Sequence, residues 1–202
     1  MSFRTGTYRT QEVPKQLRRF CPVRAVDTIL DVSPQELAEA GKKLVLLDAD
    51  NTLVPWRSHE FEPRILEWVA ACKAGGLNLV LISNTRNRER LKELAGVLGV
   101  EYAEGKFKPH RSMYEWAMER HQATPAQTLM IGDQIFTDIW GANRLGIEAV
   151  LVRPMGDREF FGTKVNRTAE KFVLARLKRN MELSEDDLPI APHQGIFHKK
   201  IV

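Results

Sequence analysis

The sequence predicts an α/β fold, a Rossmann-like parallel sheet of five strands with helices on both faces. The first observation is that short apolar runs alternate with longer segments of helical periodicity. The second is that this alternation repeats at the spacing of strand–helix–strand units, which form parallel sheets. The third is that polar residues directly follow several apolar runs, as they do at the carboxyl edge of such sheets.

Local signals justify the elements in chain order. Ser33 as N-cap and Pro34 at the first helical position begin a helix that Gly41 ends, and Glu36 is placed to complete a capping box. The predicted strands cover 43–48, 77–83, 100–103, 128–132 and 147–152. The predicted helices between them cover 63–74, 86–98, 111–121 and 136–145.

Length and composition predict one globular domain without a membrane span. The chain has 202 residues, of which 43% are hydrophobic and 28% charged. No apolar stretch approaches the roughly 20 residues of a membrane helix, and no signal-peptide core is visible, so a cytoplasmic location is expected. Cys21 and Cys72 are isolated, which favours buried apolar roles. We expect a basic segment over 1–24, a globular domain over 25–180 and a flexible tail over 181–202.

The basic excess lies toward both ends of the chain. The net charge is +4, and Lys and Arg dominate residues 1–24 and 158–179. Such segments suit a polyanion or an anionic membrane surface, although solvated basic faces are common on proteins. Peripheral contact with the inner face of the membrane is therefore expected, with ribosomal RNA as the alternative polyanion. Aromatic residues are sparse within the basic runs, which argues against recognition of single-stranded nucleic acid.

Two carboxylates, Asp48 and Asp50, follow the first predicted strand. Asp favours turns, so a solvated turn is one interpretation. Neighbouring carboxylates also repel each other unless a cation or a shared proton compensates them, and this favours a chemical site. The other polar residues near strand ends are Ser83, Asn84, Lys106, Lys108 and Asp133.

These residue types together suit phosphoryl transfer. Asp48 could act as the nucleophile, and Asp50 could protonate the leaving oxygen and later deprotonate water. Donors to the phosphoryl oxygens would be Ser83, Asn84, Lys108 and the N–H groups at the start of the following helix. Asp133 would add a further oxygen ligand to a Mg2+ ion, which prefers carboxylates, carbonyls and water.

The motifs resemble those of the haloacid dehalogenase-like (HAD) phosphatases. They are Asp48-Ala49-Asp50-Asn51-Thr52, Leu81-Ile82-Ser83-Asn84, Lys108-Pro109 and Gly132-Asp133 followed by Thr137-Asp138. The resemblance implies that Asp48 is the nucleophile, that Asp50 is the acid and base, and that Ser83 and Lys108 bind phosphate. It also implies metal binding by Asp48, Asp133 and the Asp50 carbonyl. Asp138 resembles the additional acid of the last motif, a ligand or a neighbour of one, and Lys106 is a rival for the lysine role.

The short spacing of the motifs leaves no room for a cap domain. Asp48, Ser83 and Lys108 are each separated by one helix and one strand, so an open site is predicted. Within the superfamily the chain is similar to the capless IIIA branch, specifically to the bacterial proteins that resemble mitochondrial phosphatidylglycerophosphate phosphatase. The resemblance implies a lipid phosphate monoester as substrate. The alternatives are a soluble sugar or nucleotide phosphatase, and a polyanion-binding protein with a vestigial phosphatase site.

Overall fold

The computed structural model describes residues 6–8, 12–156 and 172–177. It contains one sheet of seven strands in the order β1-β2-β7-β6-β3-β4-β5. The strands are β1 (Gly6–Thr7), β2 (Arg24–Val26), β3 (Leu44–Leu47), β4 (Asn78–Leu81), β5 (Glu101–Tyr102), β6 (Thr128–Gly132) and β7 (Glu148–Val152). Only β1 runs antiparallel to its neighbour, so the predicted α/β class with a mainly parallel sheet is confirmed.

Six α-helices lie within the described part of the chain up to residue 156. They are α1 (Lys15–Arg18), α2 (Pro34–Glu39), α3 (Pro63–Ala74), α4 (Arg88–Leu98), α5 (Ser112–Arg120) and α6 (Trp140–Asn143). A further α-helical segment covers 172–177. The side chain of Ser33 caps α2 by accepting a hydrogen bond from the Glu36 N–H at 3.3 Å, as the sequence predicts. The predicted capping box is incomplete, because the Glu36 carboxylate lies beside Arg24, at 3.9 Å from Nη1, and accepts no bond from Ser33.

The helices cover both faces of the sheet. On one face, strand residues such as Val45 and Leu47 pack against apolar residues of α2, α3 and α4. On the other, Leu44 and Leu46 pack against α5, α6 and the 172–177 helix. All four β3 side chains are buried, as expected for a central parallel strand covered on both sides. The two cores hold the sheet rigidly, so residues at its carboxyl edge have a fixed frame.

The sheet extends beyond the five predicted strands. These five are present as β3 to β7, while β1 and β2 add a further edge next to β7. Tyr8, Val13 and Cys21 are buried in the second core, so the described part of the basic segment 1–24 packs as part of the fold. The predicted tail 181–202 and most of the basic stretch 158–179 lie outside the described residues.

The prediction of one α-helix over 136–145 is wrong. The chain makes a π-helical turn over Ile135–Ile139 and only then the short α-helix α6. Single π turns widen a helix by one residue and are frequent at functional sites. This one carries Asp138, and it therefore changes where that carboxylate lies.

Candidate active site

The site lies where the strand order reverses. From β3 the chain continues to β4 on one side, and β6 pairs with β3 on the other. Crevices at the carboxyl ends of strands on either side of such a reversal are the usual ligand sites of open parallel sheets. Asp48 follows β3, Ser83 follows β4 and Asp133 follows β6, so three of the predicted residues share this edge.

A buried lysine joins two of the carboxylates. The Lys108 ammonium lies 2.6 Å from Asp48 Oδ1 and 2.7 Å from Asp138 Oδ1. Asp48 and Lys108 are each 4% exposed and Asp138 is fully buried. The structure therefore brings Asp138 into the centre of the cluster rather than to its margin.

Burial and charge set the protonation of this cluster. Desolvation raises the pKa of Asp48 well above its usual range, and the neighbouring Asp138 and Asp133 add to this while Lys108 opposes it. Burial alone would lower the pKa of Lys108, yet the carboxylates of Asp138 and Asp48 outweigh burial and raise it. Lys108 is therefore a fixed positive charge at neutral pH.

Three carboxylates form a set of donors that fits a divalent cation. One oxygen from each of Asp48, Asp133 and Asp138 lies within 4.8 Å of the others, and all three residues are buried. Carboxylate oxygens are the ligands of hard divalent cations. Asp48 and Asp133 were predicted as ligands and Asp138 as a ligand or a neighbour of one. The role expected of the Asp50 carbonyl stays a prediction.

The π turn and a glycine place Asp138. The Gln134 N–H donates to Asp138 Oδ2 at 3.0 Å, and the Thr137 hydroxyl lies 3.3 Å from Oδ1. The carboxylate lies directly over Gly132, so a Cβ atom at that position would overlap it. Gly132, at the end of β6, therefore leaves the space that the Asp138 carboxylate occupies.

Asn84 fixes the lysine loop. Its Nδ2 donates to the Lys108 carbonyl at 2.9 Å, and the Lys108 N–H donates to Asn84 Oδ1 at 2.6 Å. The amide thus positions the lysine, and its expected contact with phosphate stays a prediction. Lys106 is exposed, and of the two lysines it is Lys108 that lies in the cluster. Ser83 is 6% exposed, and its Oγ accepts from the Thr85 N–H at 3.2 Å.

Asp50 has an arginine partner that sequence reasoning missed. Arg90 Nη1 and Nη2 donate to the two oxygens of Asp50 at 3.0 and 2.9 Å, and the Arg57 N–H donates to Oδ1 at 2.9 Å. An arginine in the first turn of α4 is typical of a solvated helix surface, but this one is 4% exposed. Its separation of 40 residues from Asp50 gives no local signal.

Comparison with known proteins agrees with this geometry. The model of the HAD-hydrolase-like family matches residues 107–157, a range that contains Lys108, Asp133 and Asp138. A Bacillus subtilis protein named "Probable phosphatase YqeG" is 33% identical over 160 residues, which cover 79% of this chain and 92% of that protein.

Two further relatives carry a more specific name. "Phosphatidylglycerophosphate phosphatase 1" of Chlamydomonas reinhardtii is 33% identical over 77% of this chain, and its Arabidopsis thaliana counterpart is 27% identical over 83%. This chain covers 61% and 50% of their lengths.

Among the described residues, the chain passes from β3 to β4 through α3, and from β4 to β5 through α4, without an inserted domain. The motifs, the acidic cluster and these relatives together assign the chain to the capless HAD-like phosphatases.

Proposed function

We propose that this phosphatase uses Mg2+ and an aspartyl-phosphate on Asp48 to hydrolyse phosphatidylglycerophosphate. The observation that carries the proposal is the buried cluster of Asp48, Lys108, Asp133 and Asp138 at the carboxyl edge of the sheet. A carboxylate nucleophile needs a way to approach an anionic phosphate without repulsion. The fixed charge of Lys108, 2.6 Å from Asp48, supplies part of that compensation.

The reaction has two displacements. An oxygen of Asp48 attacks phosphorus, the bond between phosphorus and the glycerol oxygen breaks, and Asp50 gives its proton to that oxygen. Asp50, now a carboxylate, then takes a proton from water as the water oxygen attacks phosphorus. The acyl-phosphate bond breaks, the Asp48 carboxylate is restored and inorganic phosphate leaves. The net change is one water consumed for each ester bond broken.

The remaining residues bind and orient the phosphoryl group. Lys108 would stay paired with Asp138 while it faces the phosphoryl oxygens, and the Ser83 hydroxyl would donate a further hydrogen bond. When bound by Asp48, Asp133 and Asp138, Mg2+ would neutralise negative charge on the transferring phosphoryl group. Ser83 and Lys108, which belong to two different loops, would thus donate hydrogen bonds to the same phosphoryl group.

A lipid substrate is supported by the names of these two relatives and by the exposed side chains at the carboxyl edge. The exposed cations at this edge are Arg57 and Arg86 in loops and Arg88 at the start of α4. Two apolar side chains, Phe107 (43% exposed) and Met155 (38%), are exposed beside them. Each cation close to an anionic surface contributes about 1 kcal/mol. The exposed Lys15, Arg18 and Arg19 of the basic segment would add to this peripheral contact. Among the described residues, no helix has the length and apolar character needed to cross a bilayer.

The test is phosphate release from phosphatidylglycerophosphate in anionic vesicles, measured beside release from glycerol 3-phosphate and sugar phosphates. We expect lipid turnover that needs Mg2+, stops with EDTA and falls by at least about 10³-fold in Asp48→Asn. The fraction of protein that sediments with the vesicles should fall as the salt concentration rises, since salt screens exposed charges. Equal or faster turnover of soluble sugar phosphates without salt-sensitive binding would reject the lipid substrate. Wild-type turnover in Asp48→Asn would reject the covalent mechanism.

A further inference from the structure

The Arg90–Asp50 contact connects the first helical turn of α4 to the acid of the reaction. We propose that Arg90 is a positioning residue, which holds the Asp50 carboxylate so that Oδ2 carries the transferred proton. The inference rests on the proposed function, because it assumes that Asp50 is the general acid and base. It adds a residue and an atom to that role.

The two oxygens of Asp50 differ in the number of hydrogen bonds that they accept. Oδ1 accepts from Arg57 N–H at 2.9 Å and from Arg90 Nη2 at 2.9 Å, which uses both of its lone pairs. Oδ2 accepts from Arg90 Nη1 at 3.0 Å, and this leaves one lone pair for a proton. Of the two oxygens, Oδ2 is therefore the one that can carry the proton without giving up one of these hydrogen bonds.

Arg90 is itself held from a second direction. Its Nε and Nη2 donate to the Ser58 carbonyl at 3.1 and 2.7 Å, and its backbone N–H donates to the N-cap side chain of Asn87 at 3.0 Å. The guanidinium is 4% exposed, so it is fixed by packing as well as by hydrogen bonds. It joins α4 to the loop that follows β3. Free rotation of the Asp50 carboxylate is therefore restrained by two separate segments of the chain.

This geometry requires an arginine. A bidentate pair with a carboxylate uses the planar fork of the guanidinium, and two further N–H···O bonds reach Ser58 from the same group. A lysine would keep the charge but would lose the fork. The conservative variant Arg90→Lys therefore separates orientation from charge.

The experiment compares two soluble monoesters that differ in leaving group. 4-Nitrophenyl phosphate releases a stabilised phenolate and needs little help from an acid, whereas benzyl phosphate releases an alkoxide that needs a proton. We expect Asp50→Asn, Arg90→Gln and Arg90→Lys each to lower kcat/KM much more for benzyl phosphate than for 4-nitrophenyl phosphate. For Arg90→Gln the extra loss should be on the order of 10²-fold, the effect of a small misplacement of a catalytic group. Both rates come from one sample, so partial unfolding cancels in their ratio.

A double variant and a matched control complete the design. If Arg90 acts through Asp50, then adding Arg90→Gln to Asp50→Asn should leave the leaving-group ratio nearly unchanged. Lys42→Met removes another buried cation, 6% exposed, whose ammonium contacts Glu148 at 3.0 Å and the Ala126 carbonyl at 2.6 Å. It lies before β3, at the opposite edge of the sheet, and should lower stability without changing the ratio.

The outcomes separate the two proposals. A selective loss in Asp50→Asn with equal losses on both substrates in the Arg90 variants would overturn the positioning role alone. Faster benzyl phosphate turnover in Arg90→Gln would also overturn the positioning role, because it would mean that Arg90 hinders proton transfer from Asp50. Equal losses in Asp50→Asn itself would overturn Asp50 as the acid, and the role of Arg90 with it.

Discussion

At the scale of single residues, the balance of charge in the cluster decides what it can bind. Three buried carboxylates, Asp48, Asp133 and Asp138, face the single ammonium of Lys108, so an ionised cluster would carry an excess of two negative charges. Burial of such an excess is costly, and the raised pKa of Asp48 expresses this cost. A bound divalent cation would remove the excess and would let all three carboxylates ionise together.

We expect Lys108→Met to destabilise the fold and to increase its response to metal. Removing one partner from a buried ion pair costs about 3–5 kcal/mol, because the remaining charge is left uncompensated. Added Mg2+ should then raise the Tm of the variant more than that of the wild type, since it binds a cluster with greater negative charge. Thermal unfolding with and without Mg2+ measures both effects.

Lys106→Met is the matched control, because Lys106 lies on the same loop and is exposed. It should leave the Tm and its Mg2+ response close to those of the wild type. A Tm of Lys108→Met equal to that of the wild type would contradict the proposed balance of charge.

The sequence predicts the residues of the site better than the contacts between them. Asp48, Lys108 and Asp133 could be predicted to converge because each belongs to a loop near the carboxyl end of a strand. The partner of Asp50 could not, since a long side chain on a helix can turn either to solvent or inward. The same holds for Asn84, whose two hydrogen bonds to Lys108 join residues 24 positions apart.

At the scale of elements, the π turn after β6 determines where the last motif places its acid. An ordinary α-helix beginning at the same point would present Asp138 in another direction, because the extra residue of a π turn shifts everything that follows. The turn and Gly132 act together: one brings the carboxylate over the strand end, and the other leaves space for it.

We expect Gly132→Ala to push Asp138 away from Lys108. The added Cβ would overlap the Asp138 carboxylate, so the variant should lose about 1–3 kcal/mol of stability and most of its phosphatase activity. Chemical unfolding and 4-nitrophenyl phosphate turnover measure the two losses. Gly96→Ala is the control, because Gly96 lies inside α4 with open space at its Cβ. Alanine there should stabilise the helix by roughly 0.5–1 kcal/mol. Full activity in Gly132→Ala would show that the position of Asp138 is not critical.

The place of a strand in the chain decides whether the sequence reveals it. β5 has two residues, as few as β1, but it could be predicted because it belongs to the strand–helix alternation. β1 and β2 lie before this alternation, and they form because their backbones pair with a neighbour. The π turn could not be predicted because its apolar spacing resembles that of an α-helix.

At the scale of the whole molecule, the described part of the basic segment is a structural edge of the fold. Cys21 in this segment is 1% exposed within the second core, and Cys72 of α3 is fully buried in the first. Burial raises the pKa of both thiols to about 12. Both cysteines are free, as the sequence predicts, and each reports on the packing of one face of the sheet.

We expect neither thiol to react with a soluble disulfide reagent in the native protein at neutral pH. A raised pKa lowers the fraction of reactive thiolate below that of an ordinary cysteine, and burial blocks access. Both should become reactive in one transition as urea unfolds the chain, and single Cys→Ser variants would assign each signal. Rapid native labelling of Cys21 alone would contradict the packing of the segment.

Deletion of residues 1–24 would uncover the second core, so substitutions of Lys15, Arg18 and Arg19 are the sounder probe of membrane contact.

The amide of Asn84 has a consequence for the chemical ageing of the enzyme. Slow hydrolysis of an asparagine side chain replaces its nitrogen with an oxygen, which can no longer donate a hydrogen bond. At position 84 that oxygen would face the Lys108 carbonyl across the 2.9 Å now joined by a hydrogen bond. Two acceptors repel at this distance, and the loop would move, taking the lysine with it. Stored protein would thus lose activity through deamidation of the residue that positions the lysine loop, while Asp48 and Lys108 remain chemically intact.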